Sequence, residues 1–136
     1  MPSVDDVTKC LAPKAADCLA GICAEINSIF DRSIKPSLLH LRIPSTNEQI
    51  VDAEFKLIEQ FGGWPPTLRF EVLITTEGGR ILRSEYILVA DLAKSNLILR
   101  HAGVNYGFKT TQEGAGIISA MVFKDLREGR FAVNAA

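Results

Sequence analysis

Cysteine is scarce in this chain of 136 residues and poorly placed for cross-linking, because Cys10, Cys18 and Cys23 all fall near its start. An odd number with no matching set elsewhere excludes a closed disulfide framework. The steps between them miss the short Cys-x2-Cys knuckle of a zinc site, so no metal is expected. They read as small buried hydrophobes in a reducing compartment. Aromatics make up only 7% of the chain, and no row of exposed rings interleaves with arginine of the kind single-stranded nucleic acid stacks on. No charge of one sign dominates: 15 Lys plus Arg stand against 16 Asp plus Glu, a formal net charge of -1. Without a long-range field, neither nucleic acid nor an anionic membrane is an expected partner. The apolar run Leu19-Ala20-Gly21-Ile22-Cys23 is too short to span a bilayer, and Asp5 and Asp6 stand where a secretory signal would carry basic residues. A cytoplasmic location is expected.

What the chain does contain is ordinary globular material. It is 47% hydrophobic and 23% charged, and a chain of this length can bury roughly two-thirds of its unfolded surface in one core. One domain over residues 1–136 is expected, with no cofactor.

Residues 14–33 read as an amphipathic helix. Ala15, Leu19, Ile22, Cys23, Ile26, Ile29 and Phe30 recur at three- and four-residue steps with Asp17, Glu25 and Asp31 between them. Pro13 suits its first turn, with a short separate helical turn over Asp5 to Leu11, and Lys35-Pro36 is expected to end it. Leu39, Leu41 and Ile43 then alternate with His40 and Arg42 as in a half-buried strand closed by Pro44. Ser45 with Glu48 three residues later forms a capping-box pattern. Behind it, Val51, Phe55, Ile58 and Phe61 recur at steps of four, three and three, which predicts a central helix stopped by Gly62-Gly63 and followed by Trp64-Pro65-Pro66.

From Thr67 to Asp91 the period switches to two, predicting a hairpin around Glu77-Gly78-Gly79-Arg80. A three-residue loop of Gly78, Gly79 and Arg80 would set Phe70 opposite Leu88, Val72 opposite Tyr86 and Ile74 opposite Ser84, keeping one face mostly apolar. After a turn at Ala93-Lys94-Ser95-Asn96, Leu97 to His101 makes a third strand, and Gly103 and Gly107 bound a loop. Thr110 with Glu113 is a second capping box, opening a final helix with Ile117, Ile118, Met121, Val122 and Leu126 as its apolar stripe and Lys124, Arg127 and Arg130 near its end. The expected fold is two-layer α+β. It has a small, mostly antiparallel sheet of about four strands, a three-stranded meander plus one, with N-terminal, central and C-terminal helices.

Two groups of residues carry the functional expectations. The face bearing Leu73, Ile87 and Val89 among Arg69, Glu71, Arg83 and Glu85 is too apolar for open water and too charged for a core, as a partner-covered sheet face would be. It predicts a small non-catalytic binding or assembly module, a homo-oligomer (dimer) or a binder of another protein, with Arg69, Leu73, Arg83, Ile87 and Val89 at the interface. Arg42, Arg69, Arg83 and Arg100 come from different expected strands and could instead form a basic face, but Glu71 and Glu85 among them favour cross-strand charge pairs.

The alternative is a small enzyme or ligand-binding protein. The glycine-rich stretch Gly103 to Thr111 lies between a strand and a helix start, where backbone amides can hold a phosphate or carboxylate. Arg100, His101, Tyr106, Lys109, Thr110 and Thr111 would line that anion site. The spacing misses the P-loop, since three residues rather than four separate the glycines and Phe108 precedes Lys109-Thr110. His40 and His101 are the available general bases, and Asp91 could approach His101, yet no pattern marks a nucleophile.

Overall fold

The computed structural model describes residues 15–44, 46–61, 67–91, 96–129 and 131–135. The expected short turn over Asp5 to Leu11, the Pro13 start, the Ser45 cap and the Gly62 to Pro66 connector lie outside them. Helix α1 (Ala15–Ile29) leads through a π turn (Phe30–Ile34) into a last α turn (Lys35–Leu38). Strands β1 (Ile50–Phe61), β2 (Thr67–Thr76), β3 (Arg80–Asp91), β4 (Asn96–His101) and β5 (Val104–Phe108) follow. Helix α2 (Thr111–Glu128) and a short strand β6 (Ala132–Ala135) complete the order. The strands form one antiparallel sheet, β1-β2-β3-β4-β5, with β6 beside β3. The architecture is α+β, as expected, but its elements differ at several places, among them the unexpected strand β6 beside β3.

Pro36 does not end the first helix. A proline inside an α-helix lacks the N–H that would bond four residues back, and its ring crowds that carbonyl. The π turn adds one residue, with the Lys35 N–H donating to the Phe30 carbonyl, so Pro36 enters at the start of a fresh turn where proline is tolerated. Arg32 Nε donates to the Ser28 carbonyl and Ser37 Oγ to the Ser33 carbonyl, both at 3.3 Å. This extension takes Leu38 into the core and replaces the strand expected over Leu39 to Ile43 with a hooked turn, joined to the sheet by a lone Arg42–Gln49 bridge.

The central helix expected behind Ser45 is strand β1. Its apolar residues mimic helical spacing because register shifts between Ile50 and Asp52 and between Leu57 and Glu59 break the two-residue period. The buried set is Ile50, Ala53 and Phe55, whereas Val51 and Phe61 of the expected stripe are 52% and 47% exposed. Glu48, read as a capping residue, instead accepts from the Thr76 hydroxyl (3.0 Å) and pairs with Arg80 (3.4 Å).

The hairpin keeps the expected faces but shifts by two residues: Phe70 pairs with Tyr86, Val72 with Ser84 and Ile74 with Leu82. Its loop is Glu77, Gly78 and Gly79, and Gly79 has φ +83°, the left-handed position that ends such three-residue loops. The stretch bounded by Gly103 and Gly107 is not a loop. Ala102 and Gly103, with φ of 52° and 79°, make a tight two-residue turn, and Val104 to Phe108 pairs back on β4. The final helix begins as expected, with the Thr110 side chain accepting from the Glu113 N–H (3.1 Å).

Alternation along the strands divides the sheet into two faces. Leu68, Phe70, Val72 and Ile74 of β2, Leu82, Tyr86 and Leu88 of β3, and Leu97 and Leu99 of β4 are buried. They meet Leu19, Ile22, Ile26 and Phe30 of the first helix and Ile118, Val122 and Leu126 of α2 in one core cluster. Rings run across the strands in contact: Phe55 on Phe70 at 4.3 Å between centroids, Phe70 on Tyr86 at 5.3 Å, and Tyr86 on His101 at 4.2 Å. Burying each large side chain contributes about 1.5–3 kcal/mol, so this helix-covered face holds the fold together. Helix α2 packs closely at Gly114, where a Cβ would come within 2.8 Å of the Phe108 ring of β5 and 3.1 Å of Ile26 on α1.

Candidate functional site

The other face of the sheet bears no helix among the described residues. Reading the register across it, one row runs Phe61, Thr67, Val89, Ile98 and Gly107, and the next runs Glu59, Arg69, Ile87, Arg100 and Asn105. Lys56, Glu71 and Glu85 form a third, and Glu54, Leu73 and Arg83 a fourth, beyond which Thr75 pairs with Ile81. All five residues expected at an interface, Arg69, Leu73, Arg83, Ile87 and Val89, share this outer face.

Its charges are interlocked. Arg83 grips Glu71 with two bonds, Nη2 to Oε1 at 2.5 Å and Nε to Oε2 at 3.2 Å. Arg69 bonds Glu59 and lies 3.8 Å from Glu85, and Arg100 Nε donates to Asn105 Oδ1 at 2.9 Å. The Glu71 carboxylate, the first cause, holds the Arg83 guanidinium above its ordinary range. Glu71 is only 7% exposed although no described helix covers it, and the Arg83 fork is bonded to it. Between these pairs Leu73, Ile81, Ile87, Val89 and Ile98 remain half-buried, and Phe61 is largely exposed. Arg42 belongs to none of this: it lies before β1, bonded to the Asn47 carbonyl and near Glu77.

The six residues expected to hold an anion do not converge. Arg100 and His101 are successive in β4 and therefore point to opposite faces. Tyr106 is half-buried on the inner face and Lys109 is exposed. The Thr110 oxygen already accepts from Glu113, and the buried Thr111 hydroxyl donates to Glu25 Oε2 at 3.2 Å. A carboxylate is thus already bonded at the first residue of α2, the end an anion would need. With Gly103 and Gly107 in a hairpin, no glycine cradle forms there either.

The inner face carries one polar cluster. His101 Nε2 lies 2.6 Å from Asp125 Oδ2, and His101 Nδ1 lies 2.9 Å from the Glu85 carbonyl. Ser84 Oγ donates to the same Asp125 oxygen at 3.4 Å. Tyr86 stacks on the imidazole, and burial pushes its phenol well above the ordinary range. Serine, histidine and aspartate are together, but the hydroxyl bonds the acid and not the imidazole, and all three are buried, so they lack the order that activates a nucleophile. Asp91 is on β3, and its side chain lies outside the description. Burial pushes the Cys23 thiol up to about 11, which leaves it inert. No group of His, Cys, Asp and Glu among the described residues could hold a metal, and no described helix is long and apolar enough to cross a membrane.

Sequence reasoning missed Ile81 and Ile98 on the outer face and Asp125 on the inner. The first two follow from strand parity once the register is known. Asp125 carried a visible signal, since it lies seven residues after Ile118 and three after Val122, on the apolar stripe of its own helix. Comparison with protein-family models, curated proteins and solved structures returns no match.

Proposed function

We propose that this protein is a non-catalytic assembly module whose outer sheet face packs against a second copy of the chain. The observation that carries this reading is the set of half-buried aliphatic residues, Leu73, Ile81, Ile87, Val89 and Ile98, on a sheet face that no described helix covers. A fully solvated sheet face usually alternates to polar residues throughout. Size supports it: the five paired strands, 12, 10, 12, 6 and 5 residues long, at about 3.3 Å per residue and about 4.8 Å apart present roughly 700 Å², against the ~800 Å² that each partner contributes to a standard interface. Charge supports it too. Glu54, Glu59, Glu71 and Glu85 balance Lys56, Arg69, Arg83 and Arg100, so two copies related by a two-fold axis meet without net repulsion. A nucleic acid would require a surplus of positive charge here.

Light scattering after size exclusion tests the proposal. The expected particle is twice the chain mass, and Ile87→Glu and Val89→Lys should each convert it to monomer while leaving the circular dichroism spectrum unchanged. A wild-type protein that remains monomeric at high micromolar concentration rejects self-assembly. A dimer that survives both substitutions rejects this face.

A further inference from the structure

Among the described residues, the large apolar side chains most open to solvent gather at the two edges of the sheet: Val51, Leu57 and Phe61 on β1, and Val104 on β5. The edges differ in what they offer another strand. Strand β5 is five residues long and carries no charge that could fix a register. Strand β1 is twelve residues long and pairs with β2 along one side. On its other side the hooked turn reaches only the start, where the Ile50 N–H donates to the Leu41 carbonyl (3.1 Å), and no described strand pairs with the rest. An edge of this kind is a template for a further strand.

Register shifts between Ile50 and Asp52 and between Leu57 and Glu59 leave Asp52 to Leu57 as the regular stretch. Within it Ala53, Phe55 and Leu57 share the inner face with Ile74, Val72 and Phe70, while Asp52, Glu54 and Lys56 belong to the outer face. Asp52 is held by Lys35 at 3.1 Å. Glu54 and Lys56 are exposed, and neither bonds to another described side chain.

We infer that β1 pairs antiparallel with β1 of a second copy, about a two-fold axis at Phe55, joining two sheets edge to edge. Directly opposed residues of antiparallel strands lie on the same face, so the charges choose among the possible centres. Centred on Phe55, Glu54 of each copy stands opposite Lys56 of the other, twice, and no like charges meet. Centred on Ala53, Asp52 would oppose Glu54; centred on Asp52, Glu54 or Lys56, that charge would oppose itself. A centre at Leu57 leaves Lys56 without an opposite charge and carries the contact past the second register shift. The Phe55 centre also sets Leu57, 46% exposed, opposite Ala53 of the second copy and diagonal to its Phe55. Six residues span only about 20 Å, so this is a smaller and weaker contact than a standard interface. It uses the rim of the sheet and not its outer face, and therefore stands independently of the assembly proposed above.

Sedimentation equilibrium from micromolar to low millimolar concentration reads it. The expected result for wild type is an added step that doubles whatever particle is present at micromolar concentration. Glu54→Lys and Lys56→Glu each set two pairs of like charges opposite one another and should weaken that step by at least about tenfold, whereas the double variant opposes unlike charges again and should recover it. Ile87→Glu should leave the step in place, which separates this contact from the outer-face one. Absence of the step in wild type overturns the inference, as does a step that both single variants keep or that the double variant fails to recover. Lys56 stands opposite Glu71 within its own sheet; should Lys56→Glu not fold, Glu54→Lys and amide exchange in wild type decide. Edge-facing amides of Asp52 to Leu57 that exchange fast in dilute samples and slowly at low millimolar concentration sustain the pairing. Equal protection in dilute samples would mean that another part of the same chain covers this edge, and ends it.

Discussion

The two faces of the sheet solve burial in opposite ways. On the inner face apolar side chains fill the space under two helices, and His101, Asp125 and Ser84 bond in one cluster. On the outer face charged residues bond in pairs across strands, and the aliphatic residues among them are half-buried. The inner face is a finished core. The outer face has a built-in lid of ion pairs that could shield it in a single copy or mesh with another lid. Stability should therefore reside on one side of the sheet and association on the other.

Truncation at the centre of the inner face is the strongest way to break this division. Phe70 is fully buried and stacked between Phe55 and Tyr86. Phe70→Ala should cost about 3–5 kcal/mol, the transfer of the ring plus the cavity left between its neighbours. Urea unfolding measures it, and a loss under about 1 kcal/mol would mean that the ring ladder is not the core.

A smaller effect sharpens how dry the inner face is. Cys23 is buried, and desolvation raises its thiol from 9.0 to about 11. The folded state thus holds this proton where the unfolded state has lost it, so the contribution is complete below about pH 9 and disappears as pH rises through about 11. Comparison of wild type with Cys23→Ala isolates it. The stability difference between the two should shift by about 1 kcal/mol against wild type on going from pH 8 to pH 10. A difference that stays constant would indicate that water reaches the thiol.

These same contrasts explain what could be read from residues alone. The Thr110 to Glu113 cap, the alternation of β2 and β3 and the mixed character of the outer face are local or parity-based, and each survives any shift of register by two. Strand β1 was illegible because its two register shifts imitate a helical step, and β5 because Gly103 and Gly107 punctuate a hairpin as they would a loop. The first helix ran past Pro36 because a π turn, which leaves no mark in apolar spacing, absorbed the proline. The His101 to Asp125 contact joins a strand to a helix across 24 residues, and no pattern within either element states that they meet. The expected anion site failed to assemble for a simpler reason: Arg100 and His101 are neighbours in a strand, and adjacency along a strand places side chains on opposite sides.

The weakest perturbation is the most informative about the outer face. Leu73 is half-buried opposite Arg83, and Leu73→Thr in a dilute sample should cost less than about 1 kcal/mol, since the position is neither fully desolvated nor part of the helix-covered core. Association changes that expectation in one way only. A contact made by folded chains and not by unfolded ones raises stability with concentration, by about 1–3 kcal/mol over a hundredfold range above the dissociation constant. The melting temperature of wild type should therefore climb with protein concentration, while that of Leu73→Thr should climb less. Parallel climbs in the two proteins would move the contact elsewhere, for instance to the edge of β1 that no described strand pairs with. A flat wild-type curve would leave the outer face, with its cross-strand ion pairs, as the finished surface of a single chain.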